Sequence, residues 1–422
     1  MKLVHTEKRL YGPSLLTLGL AVCLLLMLIY PEASLAAAVR GIAVWWDVLF
    51  PSLFPFFVIS EMMLGLGIVH LFGAFLDPFM RPLFRIPGSG GFVAAMGYVS
   101  GYPVGARLTA KLREQNLVSR IEGERLVAFT TSSDPIFLLG AVSVGFFHDA
   151  SLGLILALSH YGSGIVIGLL MSFHGRKEDS ANKTLSKTPP PTAAQGLTYR
   201  IRTAFSSMAE ARRKDGRSLG ELLRGAVQSS LQLIIVVGGL VVFFNVLMEL
   251  LGRAGIMASL FTLTGHLLTL IGCPPDLSKA LVNGLFEVTL GARSAGAAGV
   301  SLPLYFKVAA AAFILSWGGL SVHAQVASIL NGTGLRYLPF MVARALHSVL
   351  AAAFVLLLWK PIRGTGLSSA GASLPVSATF PPTPSGIVAA LGLMGLLLAA
   401  TFMLSLLMLF STRIFTMLRR NR

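Results

Sequence analysis

Seven stretches of this chain run without one Asp, Glu, Lys or Arg: 10–31, 86–106, 150–175, 225–248, 254–275, 308–335 and 364–412. A helix needs about 20 apolar residues to cross a hydrocarbon core of about 30 Å, and each stretch is long enough. Lipid offers no water to backbone N–H and C=O groups, so a spanning chain must satisfy them internally, as helices do. Charged residues make up 12% of the chain, against about 25% in soluble domains. The expected fold class is an all-α polytopic membrane protein with about eight to ten membrane segments.

The net charge of +16 does not point to nucleic acid, because much of the basic excess sits in tails and one loop. Lys2, Lys8 and Arg9 lie in the N-terminal tail, and Arg413, Arg419, Arg420 and Arg422 in the C-terminal one. Residues 174–224 hold eleven Lys or Arg against five acids. Basic segments flanking spans mark the cytoplasmic side, so both termini and this loop are expected there. Cys23 and Cys273 lie in apolar surroundings without a CxxC pair, which predicts neither a disulfide framework nor a metal site. Residues 10–31 run directly into Pro31-Glu32 with no small-residue cleavage site, and so read as an uncleaved first span. HExxH, GxSxG and P-loop motifs are absent. No enzyme activity and no cofactor are expected.

Five parts follow: a tail with the first span (1–37), a first repeat (38–173), a basic linker (174–221), a second repeat (222–360), and a linker, final span and basic tail (361–422). The linker centre, KTPPPTAAQG, suits a flexible segment. Its flank RIRTAFSSMAEARRKDGRSLGELLRG predicts an amphipathic helix near anionic headgroups. The halves align: 38–60 lies opposite 222–244 and 129–142 opposite 313–326, both at an offset of 184. GYVSGYPVGAR falls opposite GLFEVTLGAR with one residue gapped. If the first span starts inside, Arg40 is outside and Arg224 inside, so matching segments enter from opposite faces. Secondary transporters share this inverted repeat, with substrate held at midplane by discontinuous helices.

Four breaks supply the candidate site. Residues 86–106 contain six glycines plus Pro87 and Pro103, with basic residues on both flanks. A re-entrant hairpin accounts for both facts, and would present Ser100, Gly101, Tyr102, Pro103, Gly105 and Arg107. The competing reading is close helix packing through Gly97, Gly101 and Gly105. In TTSSDPIF, Thr131, Ser132 and Ser133 precede Asp134-Pro135 and predict an unwound helix. Asp134 either pairs with Arg107 or Arg293, or serves a coupling cation or proton, since a lone acid at depth costs about 2.5–3.5 kcal/mol. In the second half, Glu287, Thr289 and Arg293 surround one bend, and Ser316, Trp317, Gly318, Gly319, Ser321, His323 and Gln325 another. Ser321, His323 and Gln325 would share one side of an extended segment. His323 is open to a role in binding or proton movement, or to a core hydrogen bond. His70, His160 and His266 read as core histidines.

SGYPVGARLTAKL, TTSSDPIFLLGAVSVGFF, GLFEVTLGAR and SWGGLSVHAQVASIL together resemble, in order over 38–360, the sporulation integral membrane protein YlbJ family. The resemblance implies two nucleoside-recognition (Gate) domains, related to concentrative nucleoside transporters whose hairpins and unwound helices form the substrate site. It also implies a role in endospore formation, moving dipicolinic acid from the mother cell across the outer forespore membrane. That planar dianion needs donors for two carboxylates. Half-helix N-termini at 101–105 and 318–319 can supply them, with Arg107 or Arg293 engaging one bidentately. Tyr102 and Trp317 are expected as ring neighbours. Asp134 and Glu287 would repel the dianion unless a proton or co-transported cation compensates them, with His323 a further proton carrier. The expected partners are therefore a small anion, such a proton or cation, and the bilayer. Nucleosides as cargo, a non-transporting scaffold and a homo-oligomeric state stay open.

Overall fold

Prolines and glycines cut the apolar runs into helices, several of them much shorter than the runs themselves. A computed structural model describes residues 11–175, 197–299 and 301–364, and the regular structure among them is all helical. The tail 1–10, the Pro-rich centre of the linker and the expected final span with its basic tail lie outside the described residues.

Helix α1 (Tyr11–Ile29) meets α2 (Pro31–Val44) at a bend of 105°. Through a π-helical stretch at Trp45–Leu49, α2 continues into α3 (Phe50–Gly65). After α4 (Ile68–Phe84) come two short helices, α5 (Ser89–Ser100) and α6 (Val104–Glu114), joined at Gly101, Tyr102 and Pro103. Helix α7 (Arg120–Thr130) ends in the non-helical stretch 131–134, and a π-helical segment resumes at Ile136–Phe146. Then α8 (Leu152–Met171) runs back. Beyond the linker, α9 (Leu197–Asp215) leads into α10 (Leu219–Arg253) and α11 (Ile256–Leu270). A second pair of short helices follows, α12 (Ser278–Phe286) and α13 (Val288–Gly296). A second broken helix consists of α14 (Leu304–Trp317) and α15 (Gly319–Leu330), and α16 (Tyr337–Gly364) closes the order. Both halves thus run long helix, shorter helix, helical hairpin, broken helix, long helix.

The opening segments of the halves pack antiparallel. Arg40 pairs with Glu249 at 2.9 Å, and the Trp45 indole donates to the Ile234 carbonyl at 2.9 Å. Gly41 lies against Val242, and Gly65 against Leu222. Helix α10 has 35 residues, about 52 Å of helix. The expected amphipathic linker helix is α9, started by no acid and ended by Arg212, Arg213 and Lys214. It lies on the start of α4, where Gly67 meets Met208 and Ala211. Small residues set the tightest contacts elsewhere, as they do between helices in lipid. Ala310, Ala311 and Ala312 of α14 share one buried cluster with Leu156 of α8 and with Ala351 and Val355 of α16.

The hairpins close on glycine. A Cβ on Gly97 or on Gly105 would sit 2.4 Å from the Thr130 carbonyl oxygen, and one on Gly291 would sit 2.2 Å from Gly284 Cα. Close packing and hairpin bending, set against each other above, are therefore the work of the same glycines. At the linker end, buried Glu124 receives Arg336 Nε and Nη2, both at 2.8 Å, and His174 Nε2 at 2.7 Å. Neighbouring Arg125 donates to the Arg85 carbonyl at 2.9 Å and to that of His174. These bonds tie the ends of α4 and α8 and the start of α16 around α7.

Four helical units are long and apolar enough to cross a membrane: 152–171, 219–253, 304–330 and 337–362, or five counting the bent α1–α2 pair. The expected eight to ten segments also counted the hairpins and a final span that lies outside the described residues. The hairpin helices are 9 to 12 residues long, only about 14–18 Å each, so no one of them crosses alone. Helix α16 also runs on to Gly364 through Pro361, past the boundary expected at 360.

Gly291→Ala should lower the unfolding midpoint of the purified protein, an overpacking cost of about 1–3 kcal/mol. Gly239→Ala, where a Cβ meets nothing within 4 Å, should not. Equal midpoints in a thermal melt in detergent would contradict the packed hairpin.

Candidate functional site

Proline has no N–H, so Pro135 leaves the carbonyl of Thr131, four residues back, without its helical donor. Arg344 of α16 fills that role: its Nη1 donates to the Thr131 oxygen at 2.6 Å. The same guanidinium reaches the other broken helix, with Nη2 3.3 Å from the Leu315 carbonyl. Gly318, with φ of 88°, ends α14 there. The Tyr102 hydroxyl donates to the same Leu315 oxygen at 2.6 Å. One fully buried arginine thus joins both breaks, and the tip of the first hairpin joins with it.

A second side chain repeats the span one residue along. His160 of α8 has Ser132 Oγ at 2.9 Å and the Ser133 N–H at 3.1 Å from Nε2, and Ser316 Oγ at 2.8 Å from Nδ1. The Ser133 N–H can only donate, so Nε2 accepts and the proton sits on Nδ1. His347 links the two bridges: its Nδ1 accepts from Arg344 Nη1 at 2.9 Å, and its Nε2 donates to the His160 carbonyl at 2.8 Å. The His160 and His347 rings stack at 5.1 Å. Thr131 and Leu315, Ser132 and Ser316, and His160 and Arg344 are each 184 positions apart in the chain.

The two acids have a backbone task. Asp134 Oδ1 accepts the Phe137 N–H at 2.8 Å, and Glu287 Oε2 the Leu290 N–H at 2.8 Å, so each caps the segment that follows it. A carboxylate at a helix N-terminus also meets the positive end of the dipole. Asp134 pairs with neither Arg107 nor Arg293, because the Ser-Asp-Pro turn aims its carboxylate at the local N–H. Gly101 lies against Asp134, and Gly319 against the backbone of Phe286 and Glu287, so each hairpin tip meets the break of its own half. The N-termini of α6 and α15 carry no side-chain cap.

The structure brings most of the expected residues together and disperses the rest. Ser100, Thr131, Ser132, Ser133, Glu287, Ser316, Ser321, His323 and Gln325 are buried. Gly101, Tyr102 and Pro103 form the first tip, and Gly105 packs on Thr130. Ser321, His323 and Gln325 do not alternate in extended chain: α15 is helical, so only Ser321 and Gln325, four residues apart, share a side. His323 Nδ1 meets the Tyr337 hydroxyl at 2.5 Å, and its ring lies 4.1 Å from that of Trp317. The Trp317 indole is itself engaged with the Leu285 carbonyl at 3.2 Å. Thr289 is half-buried beside Glu287, and Arg293 is exposed on α13. Arg107 points away from the breaks. Its Nη2 meets Ser229 at 3.2 Å, beside the Glu61 carboxylate that Lys111 grips at 2.5 Å.

Arg344, His160 and His347 were not among the expected site residues. Arg344 carried a signal, as a lone charge within an otherwise uncharged run from 337 to 359. His160, read above as a core histidine, is buried and hydrogen-bonded as one, and its bonds also span the two breaks. Its signal was the alignment itself, since an offset of 184 sets it opposite Arg344.

The chain is 46% identical over 333 residues, 79% of its own length and 79% of the relative's, to sporulation integral membrane protein YlbJ of Bacillus subtilis (strain 168). The chain belongs to the YlbJ family. The Gate family, described as nucleoside recognition, matches residues 47–175. No solved structure matches. The Gate match covers the first hairpin, the break at 131–134 and His160, and ends before Arg344, so the pairing partner of the family's recognised region comes from the other half.

A double-mutant cycle on His160→Ala and Ser316→Ala should return a coupling of about 0.6–2 kcal/mol. Unfolding in mixed micelles measures it, and additivity of the two changes would mean the bridge is not formed.

Proposed function

We propose that this protein is a transporter of endospore formation that moves dipicolinic acid from the mother cell across the outer forespore membrane. In this reading the two halves are inverted repeats, the helical hairpins are re-entrant, and both termini are cytoplasmic. The observation that carries it is the meeting of both broken helices on Arg344 and His160 at positions 184 apart. Discontinuous helices at corresponding places in two halves are where secondary transporters hold substrate. The antiparallel packing of α2–α3 on α10 supports the inverted relation. Membership in the YlbJ family supports the sporulation setting.

The uncapped N-termini of α6 and α15 are suited to the two carboxylates of a pyridine dicarboxylate. Asp134 and Glu287, already committed to helix caps, repel a dianion unless a proton or a cation travels with it. His323, bonded to Tyr337, is the further proton carrier of this scheme. The match of residues 47–175 to a nucleoside-recognition family favours one rival, a nucleoside carrier. A Gate-fold scaffold that moves nothing is the other.

Vesicles containing only this protein should take up labelled dipicolinate saturably. Excess nucleoside should not compete, and uptake should respond to pH or to divalent ions. No uptake would favour the scaffold, competition would favour the nucleoside carrier, and indifference to both pH and divalent ions would remove the compensating cation.

A further inference from the structure

Arg344 is fully buried, and its guanidinium is bonded to two carbonyl oxygens and one imidazole. Among the described residues no carboxylate lies within ion-pair distance of it. Carbonyl dipoles satisfy hydrogen bonds and leave the charge itself uncompensated. A buried cation without a counter-charge costs several kcal/mol. Arg344 Nε makes no hydrogen bond, and neither do Ser133 Oγ, which lies beside the Tyr102 hydroxyl, and Ser100 Oγ at the hairpin tip. All three residues are at most 1% exposed. Unfilled donors on the broken helix and the hairpin tip, together with an unpaired charge that bridges the breaks, suit an anion.

We infer that Arg344 is the anion receptor of the site, taking one carboxylate of the substrate on its free Nε–H, with the Ser133 and Ser100 hydroxyls as further donors. The ligand class is a small organic carboxylate, and an uncharged molecule of the same shape leaves the cation unpaired. The expected cationic contacts, Arg107 and Arg293, are occupied beside Glu61 or exposed on α13, and Arg344 takes the role assigned to them. The inference rests on the transport reading above for the choice of ligand.

The test uses the full chain in lipid nanodiscs and calorimetric titration with three probes: pyridine-2,6-dicarboxylate, pyridine-2-carboxylate and uncharged pyridine-2,6-dicarboxamide. The dicarboxylate should bind tightest and the diamide about tenfold more weakly, the factor expected when a charged hydrogen-bond acceptor is replaced by a neutral one. Arg344→Lys keeps the charge but loses the forked donors, and should weaken dicarboxylate binding about tenfold. Ser133→Ala leaves the carbonyl clamp intact and should weaken it about threefold. Equal affinity for dicarboxylate and diamide in the unmutated protein would overturn the inference without any variant, as would binding of none of the three. So would a folded Arg344→Lys protein with unchanged affinity, which would leave an arginine that only clamps carbonyls. Uptake read in parallel separates the two claims. Selective binding without uptake upholds the receptor and defeats transport, whereas equal dicarboxylate uptake by the unmutated and Arg344→Lys proteins overturns the receptor and leaves transport standing.

Discussion

Everything at the centre of this protein depends on one carbonyl that proline leaves without a donor. In water the Thr131 oxygen would find a solvent partner. Deep in a protein an unmet acceptor costs about 1–3 kcal/mol, and in hydrocarbon irregular backbone survives only where protein or a wet cavity satisfies it. The structure answers with a guanidinium from another helix. An arginine offers five donors in a fixed fork, so having met one break it can also meet the second at Leu315. Two breaks that would each be liabilities are stabilised together, and α16 is held in register by the bonds that satisfy them.

Glycine makes this arrangement reachable. For Arg344 and His160 to touch both broken helices, those helices must come close, and the hairpin tips must lie against the gaps. Gly101 stands where a side chain would strike Asp134, and Gly319 where one would strike the Phe286 carbonyl. Both have positive φ, at 75° each, so the residues that break the helices also make room for the tips. The acids fit the same logic, because each turns its carboxylate onto the helix that restarts after the break.

The sequence disclosed the broken elements more readily than their partners. Pro135, the Gly318-Gly319 pair and the Gly-Tyr-Pro tip are local signals, and they marked the gaps where the helices do stop. The partners of a gap lie far along the chain. Arg344 is 213 residues from Thr131, and no local pattern ties them. Arg107 misled because it follows a hairpin tip in sequence. One helical turn carries it away to Glu61 and Ser229. The extended reading of Ser321, His323 and Gln325 failed because the two glycines break the helix in one turn and α15 resumes at once. An uncharged run likewise gives only an upper bound on helix length, because Pro and Gly inside it can end a helix early, as at Gly101.

The last consequence concerns symmetry. His160 and Arg344 occupy corresponding places and bridge corresponding pairs of residues, yet they differ in charge. The hydrogen bonds of His160 require a neutral ring, whereas arginine keeps its charge under any condition a cell provides. The imidazole holds two serine hydroxyls and the Ser133 N–H without carrying a charge. A buried guanidinium that let go of its carbonyls would strand a charge and the Thr131 acceptor at once, while Leu315 kept the Tyr102 hydroxyl. Losing the α8 bridge strands no charge, whereas losing the α16 bridge does. Of the two bridges, the one from α16 alone brings a positive charge to the centre.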